Sequence, residues 1–103
     1  MTNEITNKIK SNGCIVIEDN VVGDINLNST DKLVYGIIKA LSNNKGYCFA
    51  TNDYIGKRAN LSKSTISNTI RKLKKYDYIS AKTIDYQRRI YIKVDTNKLN
   101  EIY

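Results

Sequence analysis

A chain of 103 residues has room for one compact core, which excludes a multi-domain enzyme. The formal charge of +7 favours acidic partners, and its placement is uneven: residues 57–93 hold eleven basic side chains against two acidic ones, so the whole excess sits in one stretch. With no histidine, two cysteines, scattered carboxylates and no glycine-rich phosphate loop, the composition argues against a metal site, a cofactor and an enzyme.

Residues 1–12 are polar with weak periodicity and read as a flexible N-terminal arm. They lack the apolar run of a signal peptide, and no stretch approaches a membrane span, so a cytoplasmic protein with no membrane partner is expected. Cys14-Ile15-Val16-Ile17 is a short apolar run bounded by Gly13 and Glu18-Asp19-Asn20, the pattern of a strand, with Val21-Val22 extending it or pairing with it and turn chemistry at Gly23-Asp24. Asn28-Ser29-Thr30-Asp31 supplies capping residues before Leu33, Val34, Ile37, Ile38 and Leu41, whose spacing predicts a helix from Ser29 to Ser42, ended by Asn43-Asn44-Lys45-Gly46. Tyr47 to Ala50 reads as a short buried strand. The apolar neighbours of Cys14 and Cys48 point to buried, reduced thiols.

Thr51 or Asn52 can cap a second helix to about Ala59, and Asn60-Leu61 turns into Ser62, which can cap a third. In that last helix Ile66, Ile70 and Leu73 face inward with Leu61, which leaves Lys63, Ser64, Thr65, Ser67, Asn68, Arg71 and Lys72 outward; its end is expected near Tyr76-Asp77. Tyr78–Ile84 and Arg88–Val94 then flank Asp85-Tyr86-Gln87 as a hairpin, on the alternation Arg89-Ile90-Tyr91-Ile92-Lys93-Val94. One domain over 13–94 follows, with a tail over 95–103 in which Leu99 and Ile102 suit a short amphipathic helix.

Helix, strand, helix, tight turn, helix and hairpin make up an α+β fold of the winged helix-turn-helix type: a three-helix core, a short strand and a C-terminal β-hairpin wing. The run from Ile55 to Ile70 resembles the helix-turn-helix signature of bacterial repressors. Gly56 stands where a small residue lets two helices cross closely, with Ala59 and Leu61 in the corner. Asn60 takes the turn position usually held by glycine, and it accepts positive φ at small cost. Ser62 caps the helix that would enter a major groove, a contribution of roughly 1 kcal/mol.

Short polar side chains at Ser64, Thr65, Ser67 and Asn68 can reach base edges, and Asn68 suits the N6 and N7 edge of adenine. Arg71, Lys72, Lys74 and Lys75 suit phosphates or deeper bases, Lys63 is a further outward DNA-binding candidate, Lys57 and Arg58 suit the backbone, and Lys82, Arg88 and Arg89 a wing contact with the neighbouring minor groove or backbone. Tyr35 and Tyr47 are read as packing, whereas Tyr54, Tyr86 and Tyr91 are less constrained.

Over about residues 13–80 the chain is also similar to the N-terminal helix-turn-helix domain of phage and plasmid replication initiators. The similarity is carried by Ile15 to Ile17, by Leu27 before Lys32-Leu33-Val34-Tyr35-Gly36-Ile37-Ile38, by Gly46 to Asn52, and by Leu61-Ser62 with Thr65-Ile66-Ser67. It implies double-stranded DNA as partner, in a phage or mobile-element setting inside a bacterial host cell. A transcriptional regulator or replication-related DNA binder is the expected function, with a homodimer through Leu99, Ile102, Tyr103 and the N-terminal arm. The alternative is a phage-encoded inhibitor of host defence, of the anti-CRISPR kind, that presents the same surface to a host protein or nucleoprotein complex.

Overall fold

The computed structural model describes residues 14–93. The arm and tail expected over 1–12 and 95–103, with Leu99, Ile102 and Tyr103, lie outside the described residues. Helix α1 spans Asp19–Val22, α2 Ser29–Leu41, α3 Asn52–Ala59 and α4 Lys63–Lys75; strands β1 and β2 span Ile79–Ile84 and Gln87–Ile92.

The boundaries of α2 are written in its first turn. The Asn28 side chain accepts from the Asp31 amide at 2.8 Å and the Asp31 carboxylate accepts from the Asn28 amide at 2.9 Å, a reciprocal pair that satisfies two donors a helix start would otherwise orphan. Val34, Ile37 and Ile38 then project into the core beside Ile55, Ile66, Ile70 and Leu73 from α3 and α4, and Ile79 and Ile90 close it from the hairpin. Burying such side chains is worth roughly 1.5–3 kcal/mol each before the entropy of ordering them is set against it.

Two N-terminal expectations change. Cys14 to Ile17 is not a strand but irregular chain laid over α2 at Gly36, where an added Cβ would lie 2.4 Å from Ile15 Cγ2. The run is apolar because Ile17 packs on the core; among the described residues no strand pairs with it. Val21-Val22 belongs to α1, which inserts Val21 into the core and leaves Val22 exposed. Glu18 ties this segment down by accepting from Tyr35 Oη at 3.1 Å and from Lys39 Nζ at 3.0 Å. Cys14 is exposed, against expectation, whereas Cys48 is fully buried and its thiol pKa is raised by that burial.

Tyr47 to Ala50 forms a single bridge rather than a strand: the Cys48 and Ile90 backbones exchange two hydrogen bonds of 2.8 Å. β1 and β2 pair antiparallel, Ile84 opposite Gln87, so the turn is the two residues Asp85-Tyr86 and Gln87 already belongs to β2. Both turn residues have positive φ, 52° and 64°, the backbone that joins two twisted strands most directly.

Candidate nucleic-acid interface

Thr51 caps α3 by accepting from the Tyr54 amide, and Asn60 ends it at φ 60°, ψ 47°, in the left-handed conformation its side chain tolerates. The chain then doubles back so tightly that the Leu61 amide donates to the Gly56 carbonyl at 2.8 Å, and a Cβ on Gly56 would stand 2.5 Å from the Leu61 carbonyl oxygen. Gly56 is therefore required by the turn itself as much as by the helix crossing. Ser62 caps α4 by accepting from the Thr65 amide at 3.2 Å, and its hydroxyl also meets those of Ser64 and Thr65 at 3.2 and 2.9 Å.

Ile66, Thr69, Ile70 and Leu73 are the buried side of α4. Opposite them, at intervals of four, three and four residues, Ser64, Asn68, Arg71 and Lys75 are all exposed and form one stripe along the helix. Lys63 and Lys74 are exposed beside it, and Thr65 and Ser67 are half-buried at its flanks. Every ionisable residue of α4 is basic. Arg71 Nη1 donates to Asn68 Oδ1 at 2.9 Å, which ties the two strongest readout candidates together. Lys57 and Arg58 are exposed on α3, Lys57 pairing with Asp53 at 3.2 Å.

Two predicted contacts are differently employed. Lys72, expected to point outward, reaches back to the buried Asp31 carboxylate at 2.7 Å and so fastens α4 to the capping box of α2. Arg88, expected on the wing surface, lies on the inner side of the hairpin and donates to the Ala50 carbonyl at 2.8 Å; burial lowers its pKa. Such a guanidinium replaces the missing strand pairing beyond Cys48. Lys82 is exposed over the Tyr91 ring at 5.4 Å, and Arg89 is stacked 4.6 Å from the Tyr47 ring while donating to Gln87 Oε1 at 3.0 Å. Tyr86 is fully exposed at the wing tip.

Sequence reasoning missed Asp31 as the partner of Lys72, and the signal was present: an acidic residue at the third position of a predicted helix is half of a capping box. Tyr47, expected as packing, also carries the Arg89 guanidinium on one face of its ring.

Residues 26–79 match the family model described as a helix-turn-helix domain. A comparison with curated proteins found no match. Among solved structures, the fold is similar to that of MepR from S. aureus. A MepR mutant bound to an oligodeoxyribonucleotide aligns with a TM-score of 0.60 at 19% identity, covering 96% of this chain and 67% of that one. A MepR–DNA complex aligns at 0.58 and 18%, covering 98% and 68%, and MepR bound to ethidium bromide at 0.58 and 18%, covering 96% and 66%. The chain thus spans about two thirds of the MepR chain, and the likeness is one of fold: three helices and a hairpin in the winged helix-turn-helix arrangement.

Proposed function

Because the chain belongs to the helix-turn-helix domain family, we propose that it is a sequence-specific DNA-binding regulator that reads the major groove with α4. The observation that carries this is the exposed stripe Ser64, Asn68, Arg71 and Lys75 on a helix whose ionisable groups are all cationic. A helix N-terminus capped by Ser62 leads it, and its positive end favours phosphate. Ser64, Asn68 and Arg71 serve base edges; Lys57, Arg58, Lys63, Lys74 and Lys75 serve the backbone, with Lys82 and Arg89 on the wing. Lys72 and Arg88 hold the domain together instead of touching DNA. MepR, similar in fold, was solved on DNA, which supports the same use here by analogy.

The setting we propose is a phage or mobile element, with two copies on a pseudo-palindromic site, since one small module buries too little surface for tight specific binding. The test is a fluorescence-anisotropy titration against the gene's own upstream DNA and a scrambled duplex, at two salt concentrations. Preference for the upstream duplex is expected, with a loss of about three decades between 50 and 200 mM salt if six phosphates are neutralised. Asn68→Ala and Arg71→Ala should lower the preference. Equal, weak binding to every duplex would refute the regulator and turn attention to a host protein or nucleoprotein as the target of the same face.

A further inference from the structure

The hairpin has two sides. Ile79, Ala81, Ile90 and Ile92 pack toward the core, and the alternation puts Lys82, Arg89 and Tyr91 on the other side. The bridge between Cys48 and Ile90 adds Tyr47 and Phe49 to that outer side, because Cys48 itself faces inward. The rings are in register: Tyr91 to Tyr47 is 5.7 Å between centroids and Tyr47 to Phe49 is 6.3 Å. A cation stands over each of them, Lys82 over Tyr91 at 5.4 Å, Arg89 over Tyr47 at 4.6 Å and Lys45 over Phe49 at 5.8 Å. No strand position on this side carries a carboxylate. The row ends at an apolar groove of about 440 Å³ walled by Phe49, Leu41, Ala50, Thr51 and Tyr54, within the size range of small-ligand sites.

We propose that this outer face also takes an unpaired DNA strand, sharing Lys82 and Arg89 with the wing contact proposed above, with bases stacked on Tyr91 and Phe49 and phosphates beside Lys45, Arg89 and Lys82. Aromatic platforms along a positively charged track are what single strands need, since every base has a π-face and every linkage a negative charge. Magnitudes decide whether a base can displace the resident cations. A cation over an exposed ring is worth about two- to fivefold in an equilibrium, whereas a stacked base is worth about five- to 150-fold. A lysine lifted from its ring also remains within reach of the phosphate that arrives with the base. Arg89 need not move, because Gln87 holds it and its guanidinium plane can itself be stacked upon. The choice of DNA over RNA rests on the duplex-reading function proposed above; the site itself does not.

Oligo(dT) titrated into the full chain at low salt tests this, with tyrosine emission as readout because the chain holds no tryptophan. Quenching on binding is expected, with Phe49→Leu and Tyr91→Leu each weakening it by about five- to 150-fold. Tyr91→Phe should bind as the parent does, which separates stacking from the hydroxyl and from misfolding. Asn68→Ala should leave oligo(dT) binding within about twofold. Failure to bind oligo(dT), equal binding by the leucine variants, or preference for oligo(rU) would overturn the proposal. Ring-dependent oligo(dT) binding by a chain that ignores its upstream duplex would instead refute the regulator and leave the single-strand site standing.

Discussion

Gly56→Ala perturbs the turn between α3 and α4 at its narrowest point. A methyl group there would lie 2.5 Å from the Leu61 carbonyl oxygen, well inside van der Waals contact, and 3.5 Å from Ile66 Cγ1, which is tolerable. The oxygen cannot easily retreat. Its residue donates its own amide to the Gly56 carbonyl at 2.8 Å, and Asn60 before it is already in the left-handed region. Overpacking of this kind costs about 1–3 kcal/mol, against which alanine returns about 0.5–1 kcal/mol of helix propensity. The net expectation is a loss centred on about 1 kcal/mol and at most about 2.5 kcal/mol, the central value lowering Tm by roughly 4–8 °C for a domain of this size. Thermal and urea melts followed by circular dichroism measure it. Gly23→Ala is the control, since its Cβ would meet only the Asp19 carbonyl at 3.4 Å and should change stability by less than about 0.5 kcal/mol. A Gly56→Ala variant as stable as the parent, with unchanged DNA affinity, would refute the tight-turn reasoning.

Lys72→Met leaves the buried Asp31 carboxylate without its cation, and a loss of about 1–3 kcal/mol in urea melts is expected while DNA affinity of the folded fraction is retained. Asn60→Gly should be neutral or stabilising in the same assay and Asn60→Ala worse by about 1 kcal/mol, from the left-handed backbone alone. Burial, and then the hydrogen bond to Asp24, push the Tyr78 phenol up to about 12; burial and Glu18 likewise raise Tyr35. A folded-state pKa above the unfolded value of about 10 means stabilisation that is complete below pH 10 and lost as pH rises through 12. Tyrosinate absorbance should therefore show late-titrating phenols that disappear in Tyr35→Phe and Tyr78→Phe. Cys14 should react with a thiol reagent at once and Cys48 only as the chain unfolds, since one is exposed and the other has no accessible surface.

Features fixed by near neighbours were legible in the sequence. Ser62, Asn60 and the spacing of Ile66, Ile70 and Leu73 each act within a turn of helix, so the helix-turn-helix segment emerged with its caps, its left-handed residue and its buried side. What required a distant partner was not. Lys72 has the same local spacing as an outward residue, and only the approach of α2 with its buried carboxylate turns it inward. Arg88 shares the phase of Ile90 and Ile92 along β2, so its inner side follows from the alternation, but its partner, the Ala50 carbonyl beyond the Cys48 bridge, does not. Cys14 to Ile17 has the composition of a strand, but a strand exists only where another can pair with it, and Gly36 offered a helix surface instead. Of the wing residues, Lys82 and Arg89 remain on the surface, held against rings that the sequence did not identify as their partners.

The bond between Arg71 and Asn68 bears on what the helix can read. An Asn that recognises adenine uses its oxygen to accept from N6 and its amide to donate to N7. In this structure that oxygen already accepts from Arg71, so the centre of the stripe offers chiefly donors: the Asn68 amide, the remaining guanidinium hydrogens and the ammonium of Lys75. Guanine presents two adjacent acceptors, N7 and O6, to the major groove and adenine only one. A donor-rich stripe therefore matches guanine as long as the pair is intact, and adenine readout by Asn68 requires the Oδ1 atom to serve two donors or Arg71 to swing toward a phosphate. In the DNA-reading role proposed for α4, the two side chains would therefore act as one element, whose base preference is set by where the guanidinium rests.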